Sequence, residues 1–204
     1  IATLSEELRF LQNLNRTSGR EVGVYPEIKS PAWHRSQGIE LTPVVLDVLA
    51  QFGYTTKKNQ CFLQCFDTNE IALIRIRHGY QGRLIQLIDR GHDAESGTNY
   101  EQLKTQQGLA ELTKLVDGIG PSLADIVDVS ASGDPIVSNL VTAAHDFDLL
   151  VHPWTFRTDA LPAGFASAPA LLEACFQQAK IDGLFADQPD TVVAYLDANQ
   201  EFFR

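Results

Sequence analysis

Val22-Gly-Val-Tyr-Pro-Glu-Ile-Lys29 alternates along its length. Successive side chains of a strand point to opposite faces, so Val22, Val24, Pro26 and Ile28 fall on one side and Gly23, Tyr25, Glu27 and Lys29 on the other. The apolar side suits a layer of helices. The other side sends a carboxylate and an ammonium toward the C-terminal tip of the strand, where charge is costly unless it is paired or binds something. Ser30-Pro31 closes the strand. A strand of this kind belongs to a sheet covered by helices whose strand ends carry the chemistry.

The pattern extends in both directions. Upstream, Thr3 and Glu6 form a capping-box pair ahead of Leu8, Leu11 and Leu14 at helical spacing. Downstream, residues 39–52 predict a helix that stops at Gly53. Strands are expected at 61–66 and 83–88, with a helix over 68–77 capped by Asp67 or Thr68. A long polar loop, 89–98, precedes a helix over 100–115 and a short strand at 118–121. A turn at 130–134, a helix at 135–145, a strand at 149–155 and a loop at 159–168 follow. A helix at 170–179, a strand at 183–187 and a helix at 191–203 complete the chain.

Strict alternation of strand and helix means a parallel sheet with helices outside it. An open doubly wound sheet would carry a Gly-rich phosphate loop early on. None occurs, since Gly118-Ile-Gly120 lacks the third glycine. A closed (β/α)₈ barrel needs eight strands and typically ~250 residues; this sequence of 204 residues reads as six strands. The expectation is therefore one TIM-barrel domain over residues 1–204, incomplete, with the first two β-α units missing upstream. A partner chain supplying those strands is the other arrangement. The chain starts at Ile1 and contains no Met, which agrees with an upstream segment.

The composition is that of a globular protein, with 44% hydrophobic and 21% charged residues. A formal net charge of -10 argues against nucleic acid and anionic membrane surfaces as partners. No apolar run is long enough to span a bilayer. Cys61 and Cys65 lie four strand residues apart, about 13 Å, whereas bridged Cα atoms lie roughly 4.4–6.8 Å apart. They do not bridge each other in that conformation, and three cysteines give no disulfide framework.

Other expected strand tips carry polar groups as well. Phe62, Gln64 and Phe66 share one face of their strand; Asp89 ends the next; Leu150, His152 and Trp154 share a face, with Arg157 just beyond; Asp187 ends the last. Singly each has an ordinary explanation: a strand-end Gln satisfies backbone, and a lone His is most often a core or rim residue. Together they describe a mouth with carboxylate for a metal, cations for phosphate and an aromatic wall. No zinc-type His or Cys spacing and no Gly-x-Ser-x-Gly elbow occurs, so an oxygen-ligated cation such as Ca²⁺ or Mg²⁺ suits the Glu-based mouth.

Val24-Tyr-Pro-Glu-Ile-Lys29, Leu63-Gln-Cys-Phe-Asp67, Leu84-Ile-Gln-Leu-Ile88, Asp117-Gly-Ile-Gly-Pro121, Val151-His-Pro-Trp-Thr-Phe-Arg157 and Gly183-Leu-Phe-Ala-Asp-Gln-Pro189 resemble, in order, the barrel-strand motifs of glycerophosphodiester phosphodiesterases of the bacterial periplasmic type. The resemblance implies a (β/α)₈ barrel with a small insertion. It implies hydrolysis of glycerophosphodiesters to sn-glycerol 3-phosphate and an alcohol, a divalent cation (Ca²⁺ or Mg²⁺), and a periplasmic or secreted location, with a cytoplasmic one as the alternative. By position, Glu27 matches a metal-ligand carboxylate and Lys29 the phosphate-facing lysine. Gln64 and Trp154 match residues lining the substrate pocket, with Phe66, His152 and Arg157 as further substrate-binding candidates. The family's His-Arg-Gly motif, its Glu-x-Asp metal pair and its second catalytic histidine match nothing here. No catalytic residue is therefore expected in this chain, and these residues alone are expected to be inactive. The partner implied is a small-molecule phosphodiester, together with a homo-oligomer or an N-terminal fragment, without stable membrane insertion. Two competitors are a degenerate, non-catalytic barrel that binds phosphorylated ligands or a protein, and a related barrel acting on larger lipid headgroups.

Overall fold

In a computed structural model of the chain, residues 1–203 are described. They form two compact units: Ile1–Glu101 with Lys114–Asp117, and Gln102–Thr113 with the residues from Gly118 onward.

The first unit opens with α1 (Leu4–Ser18). The expected capping box is present, with Thr3 N–H donating to Glu6 Oε2 at 2.7 Å and Glu6 N–H to Thr3 Oγ1 at 3.3 Å. Gly19 ends the helix in the left-handed region that glycine occupies at little cost. Residues 21–29 are extended, but parallel bridges hold them at only two points, Val24 to Cys61 and Glu27 to Gln64. Pro26 explains the interrupted ladder: it has no N–H to donate, though its carbonyl accepts from Gln64 N–H at 3.0 Å. Gly23 is required here, because a Cβ would lie 2.7 Å from the Gln60 carbonyl oxygen.

Ser30-Pro31 closes the extended segment as expected, but it also starts a short helix that sequence reading did not find, α2 (Pro31–Ser36), with Pro at its first position. Next come α3 (Leu41–Gln51) and β1 (Phe62–Cys65). α4 (Thr68–Ala72) is continued by a π-helical turn, Leu73–Arg77. β2 (Arg83–Ile88) runs parallel to β1, with Gln64 opposite Ile85. The inward alternation holds: Tyr25 stacks on Phe62 at 5.0 Å, and the Arg83 guanidinium lies 4.9 Å above the same ring. Leu63, Cys65 and Leu84, on the opposite face, are fully buried.

The single helix expected over 100–115 is instead two, α5 (Tyr100–Leu103) and α6 (Gln106–Leu112). Thr105 caps α6 by accepting from Gly108 N–H at 3.1 Å. Gly108 lets the chain fold back, since a Cβ there would sit 2.1 Å from the Gln102 carbonyl oxygen. In the second unit, β3 (Gly118–Pro121) lies parallel to the brief β6 (Leu150–Val151). Parallel bridges from Ser122 to Trp154 and from Phe156 to Ala186 extend this array. Pro153 interrupts the strand expected over 149–155 just as Pro26 interrupts the earlier one.

The helix expected over 135–145 begins instead as a short strand. β4 (Val127–Val129) and β5 (Pro135–Val137) form an antiparallel hairpin, and only α7 (Leu140–His145) is helical. The 130–134 turn reverses the chain, with Gly133 at φ 91. Residues 168–179 form α8 (Ala168–Glu173) and a π-helical turn, Ala174–Ala179. The closing helix also divides, into α9 (Pro189–Ala198) and a 3₁₀ turn, Gln200–Phe203. The class is α/β with parallel strands, as the alternation predicts. Among the described residues, no helix is long and apolar enough to cross a membrane, and all three cysteines are free and buried.

Candidate functional site

The first unit holds a pocket of about 260 Å³ at the ends of its three parallel segments. Glu27, Lys29 and Phe66 line it together with Asp67, Asp89 and Tyr100, and the 89–98 loop adds Asp93, Glu95 and Ser96. Glu27 and Lys29 reach it because residues two apart on a strand share a face. Their side chains differ in exposure, 20% for Glu27 and 79% for Lys29, and the ammonium stands 3.6 Å from the carboxylate. Phe66 meets Tyr100 edge to face at 6.2 Å and forms the apolar part of the wall.

Asp67 does two things. It caps α4 by accepting from Asn69 N–H at 2.8 Å and Glu70 N–H at 3.2 Å, and it also faces the pocket. Burial pushes its carboxyl above the ordinary carboxylate value, and the two backbone donors pull against that shift. Asp93 is held the other way. The Ser96 hydroxyl donates to it at 2.6 Å and, with backbone N–H groups, keeps its carboxyl below the ordinary value. The long polar loop is thus a folded turn, closed by Gly97 N–H to Asp93 O at 2.9 Å. Glu95 Oε1 accepts from Trp33 N–H at 3.3 Å and ties that loop to α2.

Gln64 sits opposite Glu27 in the parallel bridge but is buried, and its Oε1 has no hydrogen-bond partner among the described residues. The remaining sequence candidates belong to the second unit. His152 is buried, and burial holds its imidazole below the ordinary histidine value. Gly183 packs on that ring, since a Cβ there would lie 2.8 Å from His152 Cδ2. Trp154 donates from Nε1 to the Gly120 carbonyl at 2.8 Å. Arg157 is exposed and is held by Asp159 at 2.8 Å and Asp187 at 3.4 Å.

The structure therefore brings three of the seven sequence candidates to one pocket. It adds Asp67, Asp93, Glu95 and Tyr100, which sequence reading placed only as a helix cap, loop residues and a helix start. The signal for Asp67 was present, because a capping residue directly after a strand also sits at that strand's tip. Among the described residues, no group of three or more His, Cys, Asp or Glu side chains is placed to hold a metal ion. Within the pocket, Glu27 offers its carboxylate from the extended segment.

Comparison with known proteins bears on this geometry. The glycerophosphoryl diester phosphodiesterase family matches residues 1–191. A glycerophosphodiester phosphodiesterase of Haemophilus influenzae is 34% identical across 96% of this chain and 58% of its own length. One from Treponema pallidum is 27% identical across 95% of this chain and 59% of its own. A solved structure from Silicibacter pomeroyi, assigned as a glycerophosphoryl diester phosphodiesterase, superposes with a TM-score of 0.67 at 18% identity, over 96% of this chain and 56% of that one. That likeness shows the fold, the barrel type that the strand alternation predicts. The chain spans less than two thirds of the length of these relatives.

Proposed function

Because the chain belongs to the glycerophosphoryl diester phosphodiesterase family, we propose that the whole protein hydrolyses glycerophosphodiesters to sn-glycerol 3-phosphate and an alcohol. The observation that supports this reading is the pairing of Glu27 and Lys29 at one strand end, facing one pocket with Phe66. In this reading Lys29 meets the phosphoryl oxygens as a mobile point charge. Glu27 contributes one oxygen to a Ca²⁺ or Mg²⁺ site, the ligand type such cations take. Phe66 excludes water from one side. The substrate-binding parts of Gln64, His152, Trp154 and Arg157 rest on the resemblance alone. The acid–base histidines of the reaction match no position in residues 1–204, so these residues expressed alone are expected to be inactive.

The test uses the full-length gene product. Release of glycerol 3-phosphate from glycerophosphocholine is followed with added Ca²⁺ or Mg²⁺, and again after chelation. The expected result is cation-dependent release that falls by about 10²-fold or more in Glu27→Gln, as for loss of a group that orients a reacting centre. No release from the folded full-length protein at any cation concentration sinks this reading and favours a non-catalytic barrel.

A further inference from the structure

Glu70 is a carboxylate with almost no access to solvent, its side chain only 2% exposed, and the pocket does not use it. It lies in the first turn of α4, three residues beyond the pocket residue Asp67. A charge buried to that degree persists only when paired and hydrogen-bonded. Its two partners come from two other elements. Arg35, in the last turn of α2, donates from Nη2 to Glu70 Oε2, and the Thr42 hydroxyl at the start of α3 donates to Oε1. Arg35 also stands 3.6 Å from Glu40. Asp67 is the other charge near this group, and Arg35 and Glu70 act on it with opposite signs.

The connectivity gives this pair a purpose. α2 begins immediately after Lys29 and Ser30, and Ser30 takes a left-handed backbone, φ 44, to make the turn. Bridges fix Glu27 to β1 only at Gln64, and the Ile28 N–H that donates to the Gln64 carbonyl at 3.0 Å is the last sheet bond before the turn. Beyond it, Arg35 is the side chain that ties α2 to the helix following β1. We propose that the Arg35–Glu70 pair, closed by Thr42, is a positioning element. It fixes the turn after Lys29 so that Glu27 and Lys29 stay aimed at the pocket formed with Phe66 and Asp67. The catalytic consequence rests on the function proposed above; the positional claim does not.

The test is made on the full-length protein with Glu70→Gln, which keeps the shape and the Thr42 contact, and Arg35→Lys, which keeps the charge but loses the fork. Amide hydrogen exchange is read by segment. Exchange at Ile28 and across residues 30–37 is expected to rise at least about tenfold in both variants while the rest of the first unit keeps its protection. Exchange that rises only within 38–42 and 67–72, or throughout the protein, makes the pair an ordinary folding contact and overturns the proposal. If either variant unfolds, Thr42→Val, which removes only one hydroxyl, is read in the same way. With a parent that turns over substrate, kcat is expected to fall at least about tenfold, because small misplacements of positioning groups are costly. The double variant should be no worse than either single one. Unchanged kcat in folded variants, or losses that multiply, overturns the catalytic half. A parent without turnover sinks the functional reading instead and leaves the exchange result standing.

Discussion

Asp182 and Val151 are joined by two hydrogen bonds: Val151 N–H donates to Asp182 Oδ2 at 2.8 Å, and Asp182 N–H donates to the Val151 carbonyl at 3.0 Å. Asp117 does the same with Leu84, accepting at 2.9 Å and donating at 2.8 Å. Each Asp precedes a glycine that opens an extended segment, and each carboxylate meets a cationic or imidazole side chain from the end of a preceding helix. Asp117 takes Arg75 at 3.0 Å and also Lys57; Asp182 takes His145 at 2.9 Å. The same device therefore occurs in each unit: an aspartate joined to the backbone of one residue by a pair of hydrogen bonds.

The two instances differ in burial, and that ranks their mutants. Asp117 and Arg75 are both mostly buried, so Asp117→Ala leaves the guanidinium short of its anion and is expected to cost about 3 kcal/mol. His145 and Asp182 are about one-third exposed, and Asp182→Ala is expected to cost nearer 1 kcal/mol. Urea unfolding of both variants checks the order; an equal or reversed cost contradicts the role given to Arg75.

His152 makes a pH prediction. Its folded value lies below the ordinary 6.5 because burial disfavours the charged ring, with Asp182 opposing weakly. The unfolded chain therefore takes up the proton first as pH falls. Stability from this group is complete above about 6.5 and declines below it, with a slope of at most about 1.4 kcal/mol per pH unit for one proton. His152→Gln should flatten the unfolding free energy against pH on the acid side of neutrality. An unchanged slope would show that the ring is solvated when folded.

What could be read from the sequence was what a few adjacent residues decide. Thr3 with Glu6 set the first helix, Asp67 or Thr68 marked a cap that the structure gives to Asp67, and β1 and β2 followed from short, largely apolar runs. The misses depend on contacts across the chain. Gly108 breaks a helix-like pattern because of where the Gln102 carbonyl lies, and the 127–137 hairpin depends on a turn between strands too short to show periodicity. The site divided along the same line. Glu27, Lys29 and Phe66 alternate predictably into one mouth, whereas Asp93 and Glu95 enter it only because Ser96 and Trp33 hold their loop in place.

The Gly108 contact is itself testable. In Gly108→Ala the new methyl meets backbone at 2.1 Å, which no side-chain rotation relieves. A loss of about 2–3 kcal/mol is expected, as for overpacking against a fixed group. Gly53→Ala is the control: nothing lies within 4 Å of a Cβ there, and its positive φ alone should cost about 1 kcal/mol. Thermal melts of the two variants separate steric from conformational cost; equal losses would remove the steric explanation for the helix break.

Lys29 separates charge from fold. Its side chain is 79% exposed and its partner Glu27 stands at 3.6 Å, so Lys29→Met removes a solvated cation without opening the core, and the melting temperature should stay within about 1 °C of the parent. If the ammonium meets a phosphodiester anion, the loss appears in substrate capture: KM rises about tenfold and kcat changes less. A second signature follows from screening. The parent's KM should climb with ionic strength, because an exposed charge is shielded within roughly 10 Å at 0.1 M salt, whereas the KM of Lys29→Met should climb less steeply. Lys29→Arg keeps the charge and should retain most of the salt dependence. A Lys29→Met protein with the parent's KM and salt response would show that this lysine serves only as the surface partner of Glu27, and the phosphate-binding role would pass to another cation.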